Sequence, residues 1–285
     1  MSVYDIAVIG TGPGGISAAV TAAVRNKSVL LIGEKGLSSK MRKAKEILNY
    51  PGFPRTSGEE LADRFQAHLD SMGIPVTEDR ITAVYDMGGT FGLQGRSGEM
   101  YTARSVILAM GVVSAASIPG EDELLGSGVS YCATCDAPLY RGKTVAVIGY
   151  SPDEEAEGAF LSEVASKVYY LPMYKGDVSL DGDNIEVIHS RPVRIERGRL
   201  VTDDAEYEAD GVFVLRESVA PAKLIYGLET DGAHVVTDRQ MQTNLKGVFA
   251  CGDITGRPYQ YIKAAGEGNV CALSCVKYLD ETQKM

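Results

Sequence analysis

Residues 3–15 read VYDIAVIGTGPGG, an apolar run that passes directly into a turn containing four glycines. The run over 3–9 has the composition of a buried parallel strand, and the alanine-rich stretch over about 16–26 predicts a helix. A second apolar run over 28–32 completes a strand–helix–strand unit, the core of a doubly wound parallel sheet. We therefore predict an α/β fold built on this unit.

The turn over residues 10–15 has the spacing of a dinucleotide-binding fingerprint. Gly10 permits the tight turn, Gly12 lets the backbone approach a pyrophosphate, and Gly15 allows close packing of helix on strand. The helix N-terminus adds free N–H groups and a partial positive charge. Glu34 ends the second strand, where a carboxylate can hold ribose hydroxyls. We predict a dinucleotide site at this turn.

The segment over 247–253, GVFACGD, predicts a strand that ends in a Gly-Asp turn, followed by a helix over about 260–279. An aspartate at that turn can hydrogen-bond a ribityl chain, so Asp253 favours FAD over NAD. A strand over 144–149, a helix over about 153–166 and a strand over 167–171 echo the first unit. The chain is therefore expected to contain two related nucleotide-fold domains.

The segment YCATCD over 131–136 is the strongest chemical signal in the chain. Cysteines at the spacing of Cys132 and Cys135 can close a small disulfide and reopen it, one attacking the partner and the other resolving the mixed disulfide. Asp136 can shuttle the proton that leaves or joins a thiolate. We predict a redox-active dithiol.

Half of a zinc site is the alternative interpretation of this pair. A second pair of ligands would have to come from Cys251, Cys271, Cys275 or three scattered histidines, so we expect no metal. An odd number of cysteines argues against a structural disulfide framework. These three cysteines are predicted to be small buried apolar residues.

The net charge is -10, which makes nucleic acid an unexpected partner. The charge is uneven, since residues 151–240 contain 19 acidic and 9 basic side chains and the rest of the chain is balanced. No apolar run reaches the roughly 18 residues that span a bilayer. Residues 1–10 show no basic leader, and we expect a cytoplasmic protein without a membrane segment.

These segments together resemble the low-molecular-weight thioredoxin reductases over essentially the whole chain. The resemblance rests on the glycine turn over 10–15, NYPG over 49–52, YCATCD over 131–136 with YRGK over 140–143, and GVFACGD over 247–253. It implies two Rossmann-like nucleotide-binding domains of the pyridine nucleotide-disulfide oxidoreductase type, the second inserted in the first. The expected boundaries are 1–111 plus 241–285 for the FAD domain and 112–240 for the inserted domain. The resemblance also implies a homodimer.

The resemblance assigns roles residue by residue. Cys135 would face the flavin, Cys132 would attack thioredoxin, and Asp136 would be the general acid and base. The residues expected to bind FAD are Gly10, Gly12, Pro13, Gly14, Gly15, Glu34, Lys35, Asn49, Gly111, Gly252, Asp253 and Gln260.

The second turn, GYSPDEE over 149–155, departs from the family pattern. Ser151 replaces the middle glycine, so a backbone cannot come as close to phosphate. Glu154 replaces the last small residue and should crowd the helix. Three successive acids at 153–155 place negative charge where a pyrophosphate would lie, although acids suit a bare helix N-terminus.

Two further elements of an NADPH site are missing. The basic cluster of the family is replaced by residues 172–174 (PMY) with only Lys175 nearby, so no arginine can grip a 2′-phosphate. Arg216 and Glu217 stand where the family has a glycine. We infer that the chain does not use NADPH; atypical NAD(P)H binding is the alternative.

Without NADPH the chain most resembles the ferredoxin-dependent flavin thioredoxin reductases. An acidic ferredoxin should dock on a basic surface, and the candidate is the run Lys40, Arg42, Lys43 and Lys45. A solvated loop or a phosphate contact to FAD is the other interpretation of this run. A flavin-dependent dithiol oxidase that passes electrons to oxygen is the competing enzyme class. A non-catalytic flavin-binding module fits poorly with the intact CxxCD.

Overall fold

Two parallel sheets organise the chain, one in each of two units. The computed structural model describes residues 3–112, 117–216 and 220–282. Of these, unit 1 holds residues 3–95, 99–112 and 220–282, and unit 2 holds residues 96–98 and 117–216.

The strands are β1 (Val3–Ile9), β2 (Val29–Gly33), β3 (Val76–Glu78), β4 (Ile81–Asp86), β5 (Phe91–Gly95), β6 (Met100–Leu108), β7 (Val129–Ser130), β8 (Thr144–Gly149), β9 (Lys167–Pro172), β10 (Ile185–Val187), β11 (Pro192–Glu196), β12 (Arg199–Thr202), β13 (Glu206–Glu208), β14 (Gly211–Leu215), β15 (Thr230–Asp231), β16 (His234–Val235) and β17 (Val248–Ala250). The α-helices are α1 (Pro13–Val24), α2 (Ser39–Arg42), α3 (Gly58–Ser71), α4 (Ala133–Asp136), α5 (Glu155–Val164), α6 (Pro221–Leu224) and α7 (Tyr261–Thr282). Short 3-10 turns cover Ala137–Tyr140, Pro152–Glu154 and Gly252–Thr255.

Unit 1 is built on a sheet of order β3-β2-β1-β6-β5-β4, in which β17 also pairs with β6. Strands β1, β2, β3, β6 and β17 pair in parallel, whereas β4, β5 and β6 form an antiparallel meander. Helices α1 and α7 pack together, and the alanines of α1 are buried because only small side chains allow that approach. Strands β1 and β6 end opposite each other, at Ile9 and Leu108, so their carboxyl ends meet beside the glycine turn.

The three remaining cysteines lie in the core of unit 1, as predicted. Cys251, Cys271 and Cys275 are free thiols and fully buried. Burial raises the pKa of Cys275 to about 12 and holds that of Cys271 well above its usual value. They are inert packing groups rather than redox partners.

Unit 2 repeats the parallel arrangement in the order β10-β9-β8-β14-β7. A separate antiparallel sheet, β11-β12-β13, adds to it. Four successive strands, β10-β9-β8-β14, follow the same order as β3-β2-β1-β6 of unit 1. The predicted fold class, two Rossmann-like domains with the second inserted in the first, is confirmed.

Unit 2 ends earlier than the predicted boundary at residue 240. Residues 220–240 belong to unit 1 because Ile225, which is 3% exposed, forms a parallel bridge with Val84 of β4. The hairpin β15–β16 is held there too, through a 2.7 Å hydrogen bond between His234 Nε2 and the Tyr259 hydroxyl. This pairing joins segments far apart in sequence, so the composition of residues 220–240 did not indicate it.

Candidate active site

The first glycine turn is tightly packed at both ends and open in the middle. A Cβ on Gly10, which has a φ of 117°, would collide with the Ala109 carbonyl, and a Cβ on Gly15 would collide with the Gly10 carbonyl. A Cβ on Gly12 would meet no atom of the described residues within 4 Å. Gly10 and Gly15 are therefore needed for packing, whereas Gly12 leaves a surface that a ligand can approach.

Helix α1 begins at this turn with an unobstructed N-terminus. Pro13 occupies its first turn, no acidic residue lies in that turn, and no side chain caps it. Gly14 lies under α7, since a Cβ there would be 3.2 Å from the Ala264 carbonyl. The free N–H groups and the partial positive charge suit a phosphate.

The rim of this turn contains three more of the predicted cofactor contacts. The Glu34 carboxylate accepts a 2.6 Å hydrogen bond from the Ser39 N–H and thereby holds the start of α2. Lys35 is exposed, and Gly111 has a φ of 73°, a conformation that favours glycine. Ribose binding by Glu34 would have to share this carboxylate with α2.

Asn49 and Gln260 lie 211 residues apart in sequence and are brought together in unit 1. Asn49 Nδ2 donates a 2.7 Å hydrogen bond to Gln260 Oε1, and both residues are exposed. The predicted flavin contacts from two distant segments therefore share one surface.

The Gly252–Thr255 turn positions Asp253 and is braced by α7. Glu267 Oε2 accepts hydrogen bonds from the Gly252 N–H at 2.8 Å and the Thr255 hydroxyl at 3.0 Å. Lys263 Nζ donates to the Gly252 carbonyl at 3.0 Å. Sequence reasoning missed Lys263 and Glu267. Their i,i+4 spacing at the start of a helix that follows a Gly-Asp turn was the available signal.

Asp253 offers a half-buried acceptor. Desolvation raises the pKa of its carboxyl group, while Lys263 and Lys40 act in the opposite direction. None of the described residues forms a hydrogen bond to this carboxylate, so it is available to a hydroxyl donor. This chemistry fits the ribityl chain that the sequence predicts here.

In unit 2, a disulfide joins Cys132 and Cys135, as the spacing predicted. Cys132 caps α4, its Sγ accepting a 3.2 Å hydrogen bond from the Cys135 N–H. The Cys132 N–H donates to Ser130 Oγ at 3.1 Å. Cys132 is 5% exposed, whereas Cys135 is exposed. The predicted attack of Cys132 on a protein disulfide would therefore require it to become more accessible.

Asp136 ends α4, one residue beyond the disulfide. Its carboxylate forms no hydrogen bond with any residue in the described ranges. Burial, and then the charges of Asp136 and Asp210, raise the pKa of the Tyr140 hydroxyl. The role of Asp136 in moving protons to and from the dithiol stays a prediction.

The second turn is filled by acidic side chains and their partners. Glu154 is fully buried and pairs with Arg96, which also holds Glu157 at 2.9 Å. Burial works against protonation of Arg96, but the two carboxylates raise its pKa overall. Glu154 was predicted to crowd the helix, and the chain accommodates it with a 3-10 turn, so α5 begins only at Glu155. Sequence reasoning missed Arg96.

Tyr174 stands where the family has its basic cluster, and its hydroxyl contacts Glu155 at the start of α5. Its hydroxyl donates a 2.5 Å hydrogen bond to the Glu155 carboxylate and lies 3.3 Å from the Tyr170 hydroxyl. Burial raises the pKa of Tyr170 to about 12. The Tyr174 hydroxyl thus donates to Glu155, and the carboxylate adds an acceptor and a negative charge, neither of which suits a nucleotide phosphate.

The Arg216 guanidinium is also held by other side chains of unit 2. Its guanidinium forms a bidentate ion pair with the fully buried Glu121, at 2.6 and 2.8 Å, and stacks 4.8 Å from the Tyr150 ring centroid. Tyr150 directly follows Gly149 in the second turn. Glu217, its neighbour in the sequence argument, lies outside the described residues.

Metal and membrane sites were also among the classes that the sequence could hold. The described ranges contain no group of three or more His, Cys, Asp or Glu arranged to hold a metal ion. None of their helices is long and apolar enough to cross a bilayer.

Comparison with known proteins places the chain among redox flavoenzyme relatives. Residues 4–171 and 178–268 match the family model described as pyridine nucleotide-disulphide oxidoreductase. The thioredoxin reductase of Bacillus subtilis is 31% identical, over 99% of this chain and 96% of its own length.

Two solved structures from Clostridium acetobutylicum are each described as a ferredoxin-flavin thioredoxin reductase. One is 48% identical, covers 100% of both chains and has a TM-score of 0.92. The other is 43% identical, covers 99% of both chains and has a TM-score of 0.86. The chain therefore belongs to the pyridine nucleotide-disulphide oxidoreductase family and, within it, to the thioredoxin reductases.

Proposed function

We propose that this thioredoxin reductase takes its electrons from ferredoxin through FAD and does not use NADPH. One observation carries the proposal: the turn that would hold NADPH is occupied by the chain's own charged groups. Glu154 is buried at that turn and neutralised by Arg96. A phosphate at this turn would add negative charge beside Glu154 and compete with it for Arg96, and a buried Glu154 left without its cation is strongly unfavourable.

The contrast with the first turn supports FAD as the one bound dinucleotide. Gly12 leaves an open surface at a helix N-terminus, and Asp253 presents a half-buried carboxylate without a hydrogen-bonding partner in the described ranges. We assign the pyrophosphate to the turn over 10–15 and the ribityl hydroxyls to Asp253. Bound FAD would accept single electrons from an iron–sulfur protein and deliver a pair to a disulfide.

The residues of the dithiol then have separate roles. The Cys132 thiolate attacks the thioredoxin disulfide and forms a mixed disulfide, and one thioredoxin sulfur leaves as a thiolate. Cys135 attacks the Cys132 sulfur, which restores the Cys132–Cys135 disulfide and releases reduced thioredoxin. Asp136 takes the proton from the attacking thiol and returns one to the leaving thiolate.

The energetics permit ferredoxin as donor. Low-potential ferredoxins lie near about −400 mV and thioredoxin near about −270 mV. The gap of about 130 mV corresponds to about 6 kcal/mol for two electrons. The two solved relatives from C. acetobutylicum are each described as a ferredoxin-flavin thioredoxin reductase, which supports the same donor here.

The basic segment, defined as Lys40, Arg42, Lys43 and Lys45, is the docking surface we propose for ferredoxin. Arg42 is committed to the Gly36 carbonyl and to Asp63 at 3.2 Å, and Lys40 donates to the Val112 carbonyl at 3.3 Å. Lys43 and Lys45 are exposed and form no ion pair with any described residue. They are therefore the two charges best placed to meet an acidic protein.

An anaerobic comparison of donors tests the proposal. NADPH, NADH and reduced ferredoxin are added in turn to the oxidised protein, and flavin absorbance is followed. We expect ferredoxin alone to bleach the flavin and thioredoxin thiols to appear in proportion. Stoichiometric bleaching by NADPH at micromolar concentration would overturn the donor assignment. Peroxide release from a small dithiol, without thioredoxin reduction, would favour a dithiol oxidase.

A further inference from the structure

A buried carboxylate beside the redox segment organises one hydrogen-bonding network in unit 2. Glu121 is fully buried and accepts from both terminal nitrogens of Arg216, at 2.6 and 2.8 Å. It also accepts from the Ile118 N–H at 2.9 Å and from the Tyr131 hydroxyl at 2.8 Å. We refer to Glu121, Arg216 and Tyr131 as the Glu121 network.

The network is held in one arrangement. A buried carboxylate is tolerated only when a cation and further donors compensate for lost water, and Arg216 supplies that cation in bidentate geometry. The Tyr150 ring packs on the guanidinium, which limits where it can move. The position of the Glu121 carboxylate is therefore well determined, and so is the position of any group bonded to it.

Tyr131 connects this fixed point to the dithiol. It directly precedes Cys132, whose own N–H is held by Ser130 Oγ. Burial, and then the Glu121 charge, raise the pKa of the Tyr131 hydroxyl, so that it stays protonated and remains a donor. The backbone on the N-terminal side of Cys132 is thus anchored at two successive residues.

We propose that Glu121, Arg216 and Tyr131 are positioning residues for Cys132 in the reduced enzyme. The inference rests on the dithiol–disulfide exchange proposed above. While the disulfide is closed, the covalent bond keeps Cys132 Sγ beside the Cys135 N–H at 3.2 Å. Two electrons and two protons open it to separate thiols. Only non-covalent anchors then hold Cys132 at the start of α4, and the Glu121 network is one of them.

Alkylation of the reduced dithiol tests this role. The full-length protein is reduced anaerobically with dithiothreitol, which closes to its cyclic disulfide, and the excess is removed. Iodoacetamide is then added, and mass spectrometry follows the alkylation rates of Cys132 and Cys135. In Tyr131→Phe we expect the Cys132 rate, relative to Cys135, to rise about tenfold, the factor for losing one hydrogen bond to a charged group.

Matched variants separate positioning from general packing. Tyr207→Phe removes a hydroxyl from the same hydrophobic core without touching the network and should leave the ratio unchanged. Glu121→Met/Arg216→Met removes both charges together, so no buried charge is left unpaired, and it also removes the acceptor of the Tyr131 hydroxyl. It should therefore shift the ratio in the same direction as Tyr131→Phe. Melting temperatures establish that each variant is folded.

A Tyr131→Phe ratio within about twofold of the parent would overturn the inference, because the lost hydrogen bond predicts a larger change. An equal shift in Tyr207→Phe would overturn it as well. The measurement needs neither ferredoxin nor thioredoxin. If ferredoxin fails to reduce the flavin but the ratio still shifts, the donor proposal fails and the positioning role stands.

Discussion

The turns over 10–15 and 149–154 occupy equivalent places in two sheets with the same strand order, yet they differ in what fills them. In the first, glycines leave the helix N-terminus bare and Gly12 faces open space. In the second, Glu154 is buried and paired with Arg96. A Rossmann-like turn is thus a shared scaffold, and its ability to bind a nucleotide depends on a few side chains at the helix start.

The buried pair in the second turn should produce the largest effect. Arg96→Met leaves Glu154 as an uncompensated buried charge, and we expect the free energy of unfolding to fall by about 3–5 kcal/mol. Urea unfolding followed by circular dichroism measures this. The control is Lys167→Met, which removes the exposed pair with Glu186 and should not move the midpoint.

The double variant Arg96→Met/Glu154→Gln sharpens this test. Because it removes both charges, it should recover most of the lost stability. A loss below about 1 kcal/mol in Arg96→Met, the range of a solvent-exposed pair, would show that the second turn is not a buried ionic site.

A substitution in the first turn should change ligand affinity and leave the stability of the protein unchanged. Gly12 has φ −80° and ψ 177°, which alanine also adopts, and an added Cβ meets no atom of the described residues. Gly12→Ala should therefore fold normally but bind FAD about a hundredfold more weakly, or about 2.7 kcal/mol, because the backbone can no longer approach the pyrophosphate. Equilibrium titration of the apoprotein with FAD measures the affinity.

Two matched changes control for this result. Gly15→Ala, whose Cβ would collide with the Gly10 carbonyl, should instead destabilise unit 1. Ser151→Gly restores a glycine to the second turn and should not confer NADPH binding, because Glu154 and Arg96 remain. FAD affinity equal to the parent in Gly12→Ala would place the pyrophosphate elsewhere.

The same comparison shows what the sequence could and could not predict. The glycine roles, the Cys132–Cys135 disulfide and the acidic character of the second turn follow from local spacing. Arg96 and Glu154 are 58 residues apart, and Glu121 and Arg216 are 95 apart. No local pattern links such residues, so their pairing emerged only when the fold brought them together.

The sequence argument about the acids at 153–155 named only part of what stabilises them. The acids at 153–155 were expected to complement a bare helix dipole. Glu154 is instead neutralised by Arg96, and Glu155 accepts from Tyr174. The boundary at 240 was wrong for a related reason, because the contact of Ile225 with Val84 is also long-range.

The excess of acidic side chains lies over residues 151–240, whereas the basic segment lies in unit 1. Lys43→Gln/Lys45→Gln removes the two exposed, unpaired cations of the basic segment. If ferredoxin docks there, flavin reduction at low salt should slow about tenfold and lose most of its salt dependence. Stopped-flow measurement at several ionic strengths gives both quantities. Lys277→Gln, an exposed lysine on α7, is the control, and an unchanged rate in the double variant would reject this docking surface.

The smallest expected effect concerns Asp253 and pH. Desolvation raises its pKa above the ordinary value of 3.8, so the carboxylate takes up a proton at a higher pH than an exposed aspartate does. Two opposite trends follow. The contribution of Asp253 to apoprotein stability, measured as the difference between the parent and Asp253→Asn, should rise as the pH falls through the raised pKa, because neutralisation relieves the buried charge. FAD affinity should fall over the same interval, because the protonated group is a poorer acceptor for a ribityl hydroxyl.

Asp253→Asn should weaken FAD binding about threefold at neutral pH, since an amide oxygen still accepts, and should remove both trends. Asp70→Asn, on the exposed face of α3, should preserve them. If the differences between the parent and Asp253→Asn in stability and in FAD affinity change in the same direction with pH, Asp253 does not contact the cofactor.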